Sequence, residues 1–326
     1  MDRPIPLIIL GGSDRRGSEL PPEGADKHAL SGYKGAEMRV EGRPLVEIVA
    51  ERMTAGGVLG PVRVAGPAEV YRRAGVKLGV IDTDDSFGGN IQAAIEATRT
   101  EFPDSPVAIT TADLLPEVED VQTMVDDYLA AAPLAFWGAF IRTPENRDEL
   151  GASAWKPRYR MVERKGEEPA PILPGHLAIV LPQALKLRFL YDLVDLTYRS
   201  RNKPIAYRRS YIVRGLIWGM LLQDLRHLAT LRLPNVTWNM LRTGLAAAKG
   251  LKDGDILLSD LERAIERIFV RTQHRRRHPN SVRLPILEGL SLAEDIDTAE
   301  EAAEKGAQAG GAVSDTEGQA GDQSSL

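Results

Sequence analysis

The segment LIILGGSDRRGSE, residues 7–19, decides how the N-terminal half of the chain is interpreted. Its first four residues are apolar and end at Gly11 and Gly12, which is typical of a short strand covered on both faces. Two glycines at a strand end let backbone N–H groups approach a bulky anion, and Arg15 or Arg16 could clamp that anion. A tight turn followed by a solvated loop would explain the same residues, so the segment alone leaves both interpretations open.

The rest of the N-terminal half alternates short apolar segments with amphipathic ones. Strands that alternate with helices form βαβ units, so the pattern predicts a largely parallel sheet. The predicted strands are 6–10, 61–66, 76–81, 106–112 and 133–141, and the predicted helices are 44–57, 68–75, 90–102 and 118–132.

The C-terminal half is less regular. Residues 142–170 are polar and predict a loop or hairpin, and 177–181 predict one more strand. Residues 182–272 are mostly helical in pattern, and 284–306 return to a strand, a turn and a helix. The small polar residues of 307–326 predict a disordered tail.

Composition excludes several classes of function. The chain has 326 residues, 43% of them hydrophobic, and no cysteine, which excludes disulfides, a thiolate nucleophile and a cysteine metal site. Six acidic residues and one basic residue from Glu300 onward carry the whole net charge of −5, so the remainder is neutral and predicts no nucleic-acid partner. No apolar run approaches the length of about 18 residues that a transmembrane helix needs. We expect a cytoplasmic protein.

Two motifs after the glycine loop carry residues suited to phosphate chemistry. GYKGAEMRVEGRPLVE, residues 32–47, supplies Lys34, whose charge could neutralise a phosphate group; Lys27 is the competing candidate, and either could be an ordinary solvated lysine. DSFGGNIQ, residues 85–92, places Gly88, Gly89 and Asn90 at a predicted helix start, where Asn90 is also a plausible N-cap.

Two further motifs supply carboxylates. VAITTADLLP, residues 107–116, ends a strand at Asp113, where open α/β sheets place their ligands and where a turn or helix-cap aspartate is the alternative. AEDIDTAEE, residues 293–301, contains Asp295 and Asp297, and the second of these is equally a helix N-cap.

These motifs, in this order, resemble the MobA-like nucleotidyltransferases. The resemblance covers residues 6–142 well and 284–304 moderately. It implies a three-layer, mostly parallel α/β sheet of glycosyltransferase-A type with a mainly helical insertion at about 182–272. It divides the chain into a nucleotide-binding half (1–142), an acceptor-side region (143–283), a closing segment (284–306) and the tail (307–326).

The resemblance also implies roles for individual residues. Arg16, Lys34 and Asp113 would be catalytic, and Mg²⁺ would be held by Asp113 with Asp297 or Asp295. The nucleotide would contact Leu10, Gly11, Gly12, Ser13, Lys27, Gly88, Gly89 and Asn90.

The acceptor side is less defined by the sequence. Arg160 belongs to a basic segment that could meet a phosphorylated acceptor or simply be solvated. Gly175 and His176 precede the strand predicted at 177–181, where the histidine could bond an acceptor hydroxyl or be structural. The apolar segment 210–233 favours a buried helix, with a membrane-surface helix or a dimer interface as alternatives.

The predicted function is therefore Mg²⁺-dependent transfer of a nucleotide from a nucleoside triphosphate to a phosphorylated small-molecule acceptor, with release of pyrophosphate. A glycosyltransferase of the same fold is the alternative enzyme, and Asp82-Thr83-Asp84 has the D-x-D spelling that such enzymes use for a metal. A nucleotide-binding relative without catalysis is the third hypothesis. The nucleobase, the acceptor and the oligomeric state stay open.

Overall fold

A computed structural model describes residues 3–13, 32–146, 158–199 and 256–296, together with 298, 300–303 and 305. Four candidate site residues, Arg15, Arg16, Lys27 and Asp297, lie outside the described residues, as do the tail predicted at 307–326 and residues 200–255 of the predicted helical insertion. In the part that is described, no helix has the length and apolar character needed to cross a membrane.

Strands and helices alternate along the N-terminal half, as the sequence pattern predicts. The strands are β1 (Ile5–Leu10), β2 (Arg39–Val40), β3 (Arg43–Pro44), β4 (Leu59–Gly66), β5 (Gly79–Asp82), β6 (Val107–Thr111), β7 (Phe136–Arg142), β8 (Tyr159–Met161), β9 (Ala170–Val180), β10 (Val282–Arg283) and β11 (Ile286–Leu287). The helices are α1 (Lys34–Glu37), α2 (Leu45–Thr54), α3 (Ala68–Arg73), α4 (Phe87–Glu101), α5 (Val118–Ala131), α6 (Leu187–Arg199), α7 (Leu258–Phe269) and α8 (Thr272–Arg277), with 3₁₀ turns at Pro182–Ala184 and Leu290–Leu292.

Nine of the described strands form one mixed sheet, and β2 pairs with β3 in a separate ribbon. The main order is β10-β7-β9-β6-β1-β4-β5, with β11 also beside β7 and β8 beside β9. The pairs β6–β1, β1–β4 and β4–β5 are parallel, whereas β9 runs antiparallel to both β6 and β7. The prediction of a mostly parallel sheet is confirmed.

Strand β1 is buried along its whole length because helices cover both faces of the sheet. Ile5, Leu7 and Ile9 belong to one apolar cluster, which includes residues of α2 and α5. Ile8 and Leu10 alternate to the other face, in a cluster with residues of α4, α6 and α7. Side chains of a strand alternate between faces, so one apolar run supplies both cores and three layers result.

Strand β9 is longer than the sequence pattern predicts. The prediction began at residue 177, but the strand runs over Ala170–Val180, so the expectation that Gly175 and His176 precede it was wrong. Pro171, Pro174 and Gly175 weaken the strand signal. Pairing with β8 on one side and β7 on the other nevertheless extends the strand.

The start of α4 also differs from the sequence interpretation. Ser86, not Asn90, caps the helix: its side chain accepts a hydrogen bond from the Gly89 N–H at 3.2 Å. Asn90 lies one turn further on and is buried. The helix therefore begins at Phe87, before the predicted start at residue 90, because the serine supplies the acceptor that an N-cap needs.

One partly buried polar cluster joins α5 to the sheet. Asp127 accepts hydrogen bonds from Trp137 Nε1 at 2.9 Å and from Arg283 Nε at 2.8 Å, and Arg283 also forms an ion pair with it. Burial acts to raise the pKa of Asp127, but the hydrogen bonds from Arg283 and Trp137 outweigh it and lower that pKa. Asp127 thus links a helix to two strands through its charged form.

We expect Asp127→Asn to lower the free energy of unfolding at pH 7 by about 1–3 kcal/mol, since hydrogen bonds to a charged group are lost. The pKa of Asp127 is lowered on folding, so its contribution is present above the unfolded value of about 4 and is lost as the pH falls through the folded value. Urea unfolding at several pH values checks this. The exposed neighbour Asp126→Asn is the control, and an equal loss in both variants would contradict the assignment.

Candidate active site

A cleft of about 240 Å³ opens where β1 and β6 end. This is the carboxyl edge of the parallel part of the sheet, the usual location of ligand sites in open α/β folds. Its lining comprises Leu10, Gly11, Gly12, Ser13, Gly32, Lys34, Gly35, Asp85, Ser86, Phe87, Asn90, Thr111, Ala112, Asp113, His176 and Asp295.

The two glycines of the loop after β1 have different surroundings. The Gly11 N–H donates to the Ala65 carbonyl at 2.9 Å, and the Gly11 carbonyl accepts from the buried Tyr71 hydroxyl at 2.7 Å. Burial raises the pKa of Tyr71, with Tyr33 and Glu37 adding to the effect, so the hydroxyl stays a donor. Gly11 is therefore fixed by packing, and the part of the loop that can approach a ligand begins at the exposed Gly12.

Asn90 holds the opposite wall of the cleft. Its side-chain oxygen accepts hydrogen bonds from Thr83 Oγ1 and the Asp85 N–H, both at 2.9 Å, and its amide nitrogen donates to the Asp85 carbonyl at 3.2 Å. A Cβ on Gly12 would lie 2.5 Å from the same amide nitrogen. Asn90 thus fixes the turn before α4, and it requires a glycine at position 12.

Lys34 and Asp113 approach each other across the cleft. Lys34 opens the short helix α1, and Asp113 lies two residues beyond the end of β6. Lys34 Nζ is 3.8 Å from Asp113 Oδ2, and the two side chains are 20% and 30% exposed. A cation and a carboxylate that both stay accessible to a ligand can act on a charged substrate.

Asp295 reaches the cleft from the C-terminal segment. The Ile296 N–H donates to the Asp113 carbonyl at 2.7 Å, which ties the segment after the turn Leu290–Leu292 to the loop after β6. This backbone bond brings together two carboxylates that are far apart in the sequence. The side chain of Asp295 is 18% exposed.

His176 enters the cleft from β9. Between β7 and β9, Gly138 pairs with Ala178 and Phe140 pairs with Pro174, so extra β9 residues bulge opposite Ala139. Bulges redirect side chains and are frequent beside active sites. His176 Nδ1 lies 3.1 Å from Thr111 Oγ1, and its Nε2 lies 3.2 Å from Asp295 Oδ1.

Asp113, His176 and Asp295 therefore form one cluster. Each offers a ligand atom, and these atoms all lie within 4.8 Å of one another. Carboxylate oxygens suit Mg²⁺ and Mn²⁺, and a neutral imidazole suits transition cations, so the donor set fits a divalent cation.

Other predicted site residues lie away from this lining. Gly88 packs against α6, where its N–H donates to Asp195 Oδ1 at 3.4 Å, and Gly89 lies beside Asp85. Arg160 is at the β8–β9 hairpin, where it pairs with Glu145 and donates to the Pro169 carbonyl at 2.7 Å. Gly175 lies in the bulge, where a Cβ would be 3.0 Å from the Ala139 carbonyl.

The D-x-D sequence after β5 is also outside the lining. Asp82 Oδ1 accepts the Ala68 N–H at 2.8 Å and so satisfies a donor at the start of α3. Neither Asp82 nor Asp84 lines the cleft.

Sequence reasoning missed Thr111, Asp85 and Tyr71. Thr111 ends the strand that leads to Asp113, and its position at the carboxyl edge of the sheet could have identified it as a site residue. Tyr71 comes from α3 and supports the loop after β1 through a contact that no local pattern encodes.

Comparison with known proteins supports the fold. No protein-family model and no curated protein sequence matches the chain. A solved structure described as a hypothetical transferase from Thermus thermophilus has a TM-score of 0.51 at 17% identity, covering 92% of this chain and all of that one. This likeness and the sheet order confirm the predicted three-layer α/β fold.

Two further solved structures are more distant. A CMP:2-keto-3-deoxy-manno-octonic acid synthetase complexed with CTP has a TM-score of 0.42 at 13% identity and covers 63% of this chain and 84% of its own. A mannose-1-phosphate geranyltransferase from Thermus thermophilus has a TM-score of 0.37 at 14% identity and covers 66% of this chain and 64% of its own.

Proposed function

We propose that this chain is a MobA-like nucleotidyltransferase that transfers a nucleotide from a nucleoside triphosphate to a phosphorylated small-molecule acceptor. An oxygen of the acceptor phosphate attacks the α-phosphorus, and the bond from that phosphorus to the oxygen bridging to the β-phosphate breaks. Pyrophosphate leaves with the bonding electrons. The acceptor phosphate is already an anion, so the reaction needs no general base.

The observation that carries the proposal is the meeting of Gly12, Lys34, Asp113 and Asp295 in one cleft at the carboxyl edge of the sheet. Four separate segments supply a glycine loop, an accessible ammonium and two carboxylates. These are the groups that a protein needs to bind a triphosphate together with a metal ion. The sequence motifs that resemble the MobA-like enzymes place these same residues in that order.

Each residue has a definable task in this reaction. Gly12 has no side chain, so the loop packs closely against Asn90, which holds the turn before α4, and the exposed Gly12 backbone would approach the triphosphate. Lys34 neutralises charge on the leaving pyrophosphate, and Asp113 and Asp295 would hold the divalent cation, predicted as Mg²⁺. The bound cation would neutralise phosphate charge and fix the phosphate geometry. Positioning and charge neutralisation then supply most of the rate acceleration.

We expect Lys34→Met to weaken nucleoside triphosphate binding at least about tenfold, because a charge-assisted contact to phosphate contributes roughly 1.5–3 kcal/mol. Isothermal titration calorimetry measures the change. Lys77→Met, at an exposed lysine outside the cleft lining, is the matched control. Equal affinities in the Lys34 variant and the control would remove Lys34 from the proposed site.

The reaction itself is tested by product analysis. The protein is incubated with ATP, CTP, GTP, UTP or dTTP and with sugar phosphates, alcohol phosphates, phospholactate-like acids or molybdopterin, and pyrophosphate is detected. Pyrophosphate that forms only with one nucleotide and one acceptor class supports the proposal. Release of a nucleoside diphosphate from a nucleotide sugar instead would identify a glycosyltransferase, and nucleotide binding without either product would indicate a non-catalytic relative.

A further inference from the structure

The sequence resemblance accounts for two carboxylates at the cation site, whereas the fold brings a third donor to them. His176 Nε2 lies 3.2 Å from Asp295 Oδ1, and both atoms belong to the cluster that includes a carboxylate oxygen of Asp113. A neutral imidazole nitrogen and a carboxylate oxygen are both electron-pair donors. They stay this close only with a proton or a cation between them.

The other ring nitrogen of His176 has its own partner. Nδ1 lies 3.1 Å from Thr111 Oγ1, so it can donate its proton to the threonine hydroxyl and leave the Nε2 electron pair directed at the carboxylates. Metal-binding histidines commonly donate the second ring N–H to a neighbouring acceptor, which fixes the tautomer and the ring orientation.

The backbone around His176 is built to place this side chain. The β9 bulge lies opposite Ala139, and a Cβ on Gly175 would lie only 3.0 Å from the Ala139 carbonyl, so a glycine suits this position. Without the bulge, the register that pairs Gly138 with Ala178 would pair Phe140 with His176, but Phe140 pairs with Pro174 instead. On the other side of β9, the pairing of Ile109 with Ala178 brings His176 beside Thr111. The ring is 17% exposed, so its nitrogen is mostly shielded from water yet still borders the cleft.

We propose that His176 is a third ligand of the cation held by Asp113 and Asp295, and that this site selects a first-row transition cation such as Mn²⁺ over Mg²⁺. Mg²⁺ prefers oxygen ligands, whereas Mn²⁺ accepts an oxygen-rich site and gains more from an imidazole nitrogen. This inference rests on the proposed function in one respect only, namely that a divalent cation binds in the cleft.

Metal binding without nucleotide tests the inference directly. Calorimetric titrations with Mn²⁺ and, separately, Mg²⁺ are made on the wild type, His176→Gln and Thr111→Val. His274→Gln, a histidine on α8 outside the cleft lining, is the matched control. We expect His176→Gln to lower Mn²⁺ affinity at least about tenfold and Mg²⁺ affinity by less than about threefold, with a smaller Mn²⁺ loss in Thr111→Val.

Electron spin-echo envelope modulation on the Mn²⁺-loaded protein gives a readout that packing alone would not change. A bound imidazole nitrogen modulates the echo of the wild type and of His274→Gln, and we expect this modulation to be lost in His176→Gln. No nitrogen modulation in the wild type, or equal losses of Mn²⁺ and Mg²⁺ affinity in His176→Gln, would overturn the inference. If His176→Gln fails to fold, the wild-type spectrum together with Thr111→Val decides.

The same samples separate this inference from the proposed function. Metal-dependent nucleoside triphosphate binding with no nitrogen signal would refute the histidine ligand and leave the nucleotidyltransferase standing. A nitrogen signal in a protein that binds no nucleotide would confirm the metal site and refute the proposed function.

Discussion

Asp113→Asn is expected to abolish metal-dependent nucleotide binding while leaving the fold intact. The substitution preserves the shape of a side chain that lies 3.8 Å from Lys34 Nζ, but it removes the charge that would hold the cation. Loss of a residue that merely orients a metal ligand costs about 10–100-fold in metal affinity, so loss of the ligand charge should cost at least about 100-fold. Calorimetry with a nucleoside triphosphate and a divalent cation measures the effect, and circular dichroism checks the fold.

Asp84→Asn is the informative control for Asp113→Asn. Asp84 is exposed and outside the cleft lining, but it belongs to the D-x-D sequence that a glycosyltransferase would use. We expect Asp84→Asn to bind nucleotide as the wild type does. If Asp84→Asn loses metal-dependent binding and Asp113→Asn keeps it, the metal site lies at the D-x-D sequence, as the glycosyltransferase alternative expects, and not at Asp113.

Gly11→Ala is expected to cause a large loss of stability from a single added methyl group. A Cβ at this position would overlap the Tyr71 hydroxyl, and it would lie 2.7 Å from Tyr71 Cζ and 2.9 Å from Val64 Cγ1. Both neighbours are fully buried, so neither can move aside without disturbing the core. Overpacking of this kind costs about 1–3 kcal/mol and sometimes more. Because backbone pairing holds both sides of the loop in place, we expect Gly11→Ala to lower the free energy of unfolding by about 3 kcal/mol.

Gly79→Ala provides the matched control for this prediction. Gly79 also lies in a strand of the sheet, but the nearest atom to a Cβ there is Arg63 Cγ at 3.7 Å, an ordinary contact distance. Chemical denaturation should therefore show a large loss for Gly11→Ala and little change for Gly79→Ala. A stable Gly11→Ala protein would mean that Tyr71 does not pack under the loop as described.

The fold was predictable because its decisive signals are local. Ile5–Leu10 is apolar at every position, which indicates a strand with both faces covered, and the alternation of strands and helices indicates parallel pairing. The start of α4 was misjudged because Ser86 and Asn90 are both good capping residues, and only the three-dimensional arrangement shows which one accepts the Gly89 N–H.

The candidate site was predictable in part. Asp113 follows a strand end, and this position at the sheet edge can be inferred from sequence. The meeting of His176 with Asp295 depends on a bulge between β7 and β9 and on a backbone bond from Ile296 to Asp113. Both are long-range pairings, which the periodicity of a sequence does not reveal. The sequence therefore suggested that His176 contacts an acceptor, whereas the fold places it in a cluster with two carboxylates.

One titration tests the central claim, that this cleft binds a nucleoside triphosphate together with a divalent cation. Wild-type protein and Asp113→Asn are titrated with ATP, CTP, GTP, UTP and dTTP, with Mg²⁺ or Mn²⁺ and again with EDTA. The account predicts that at least one triphosphate binds the wild type only with the cation and does not bind Asp113→Asn. Well-folded wild-type protein that binds none of the five, or that binds equally well in EDTA and in the Asp113 variant, would contradict it.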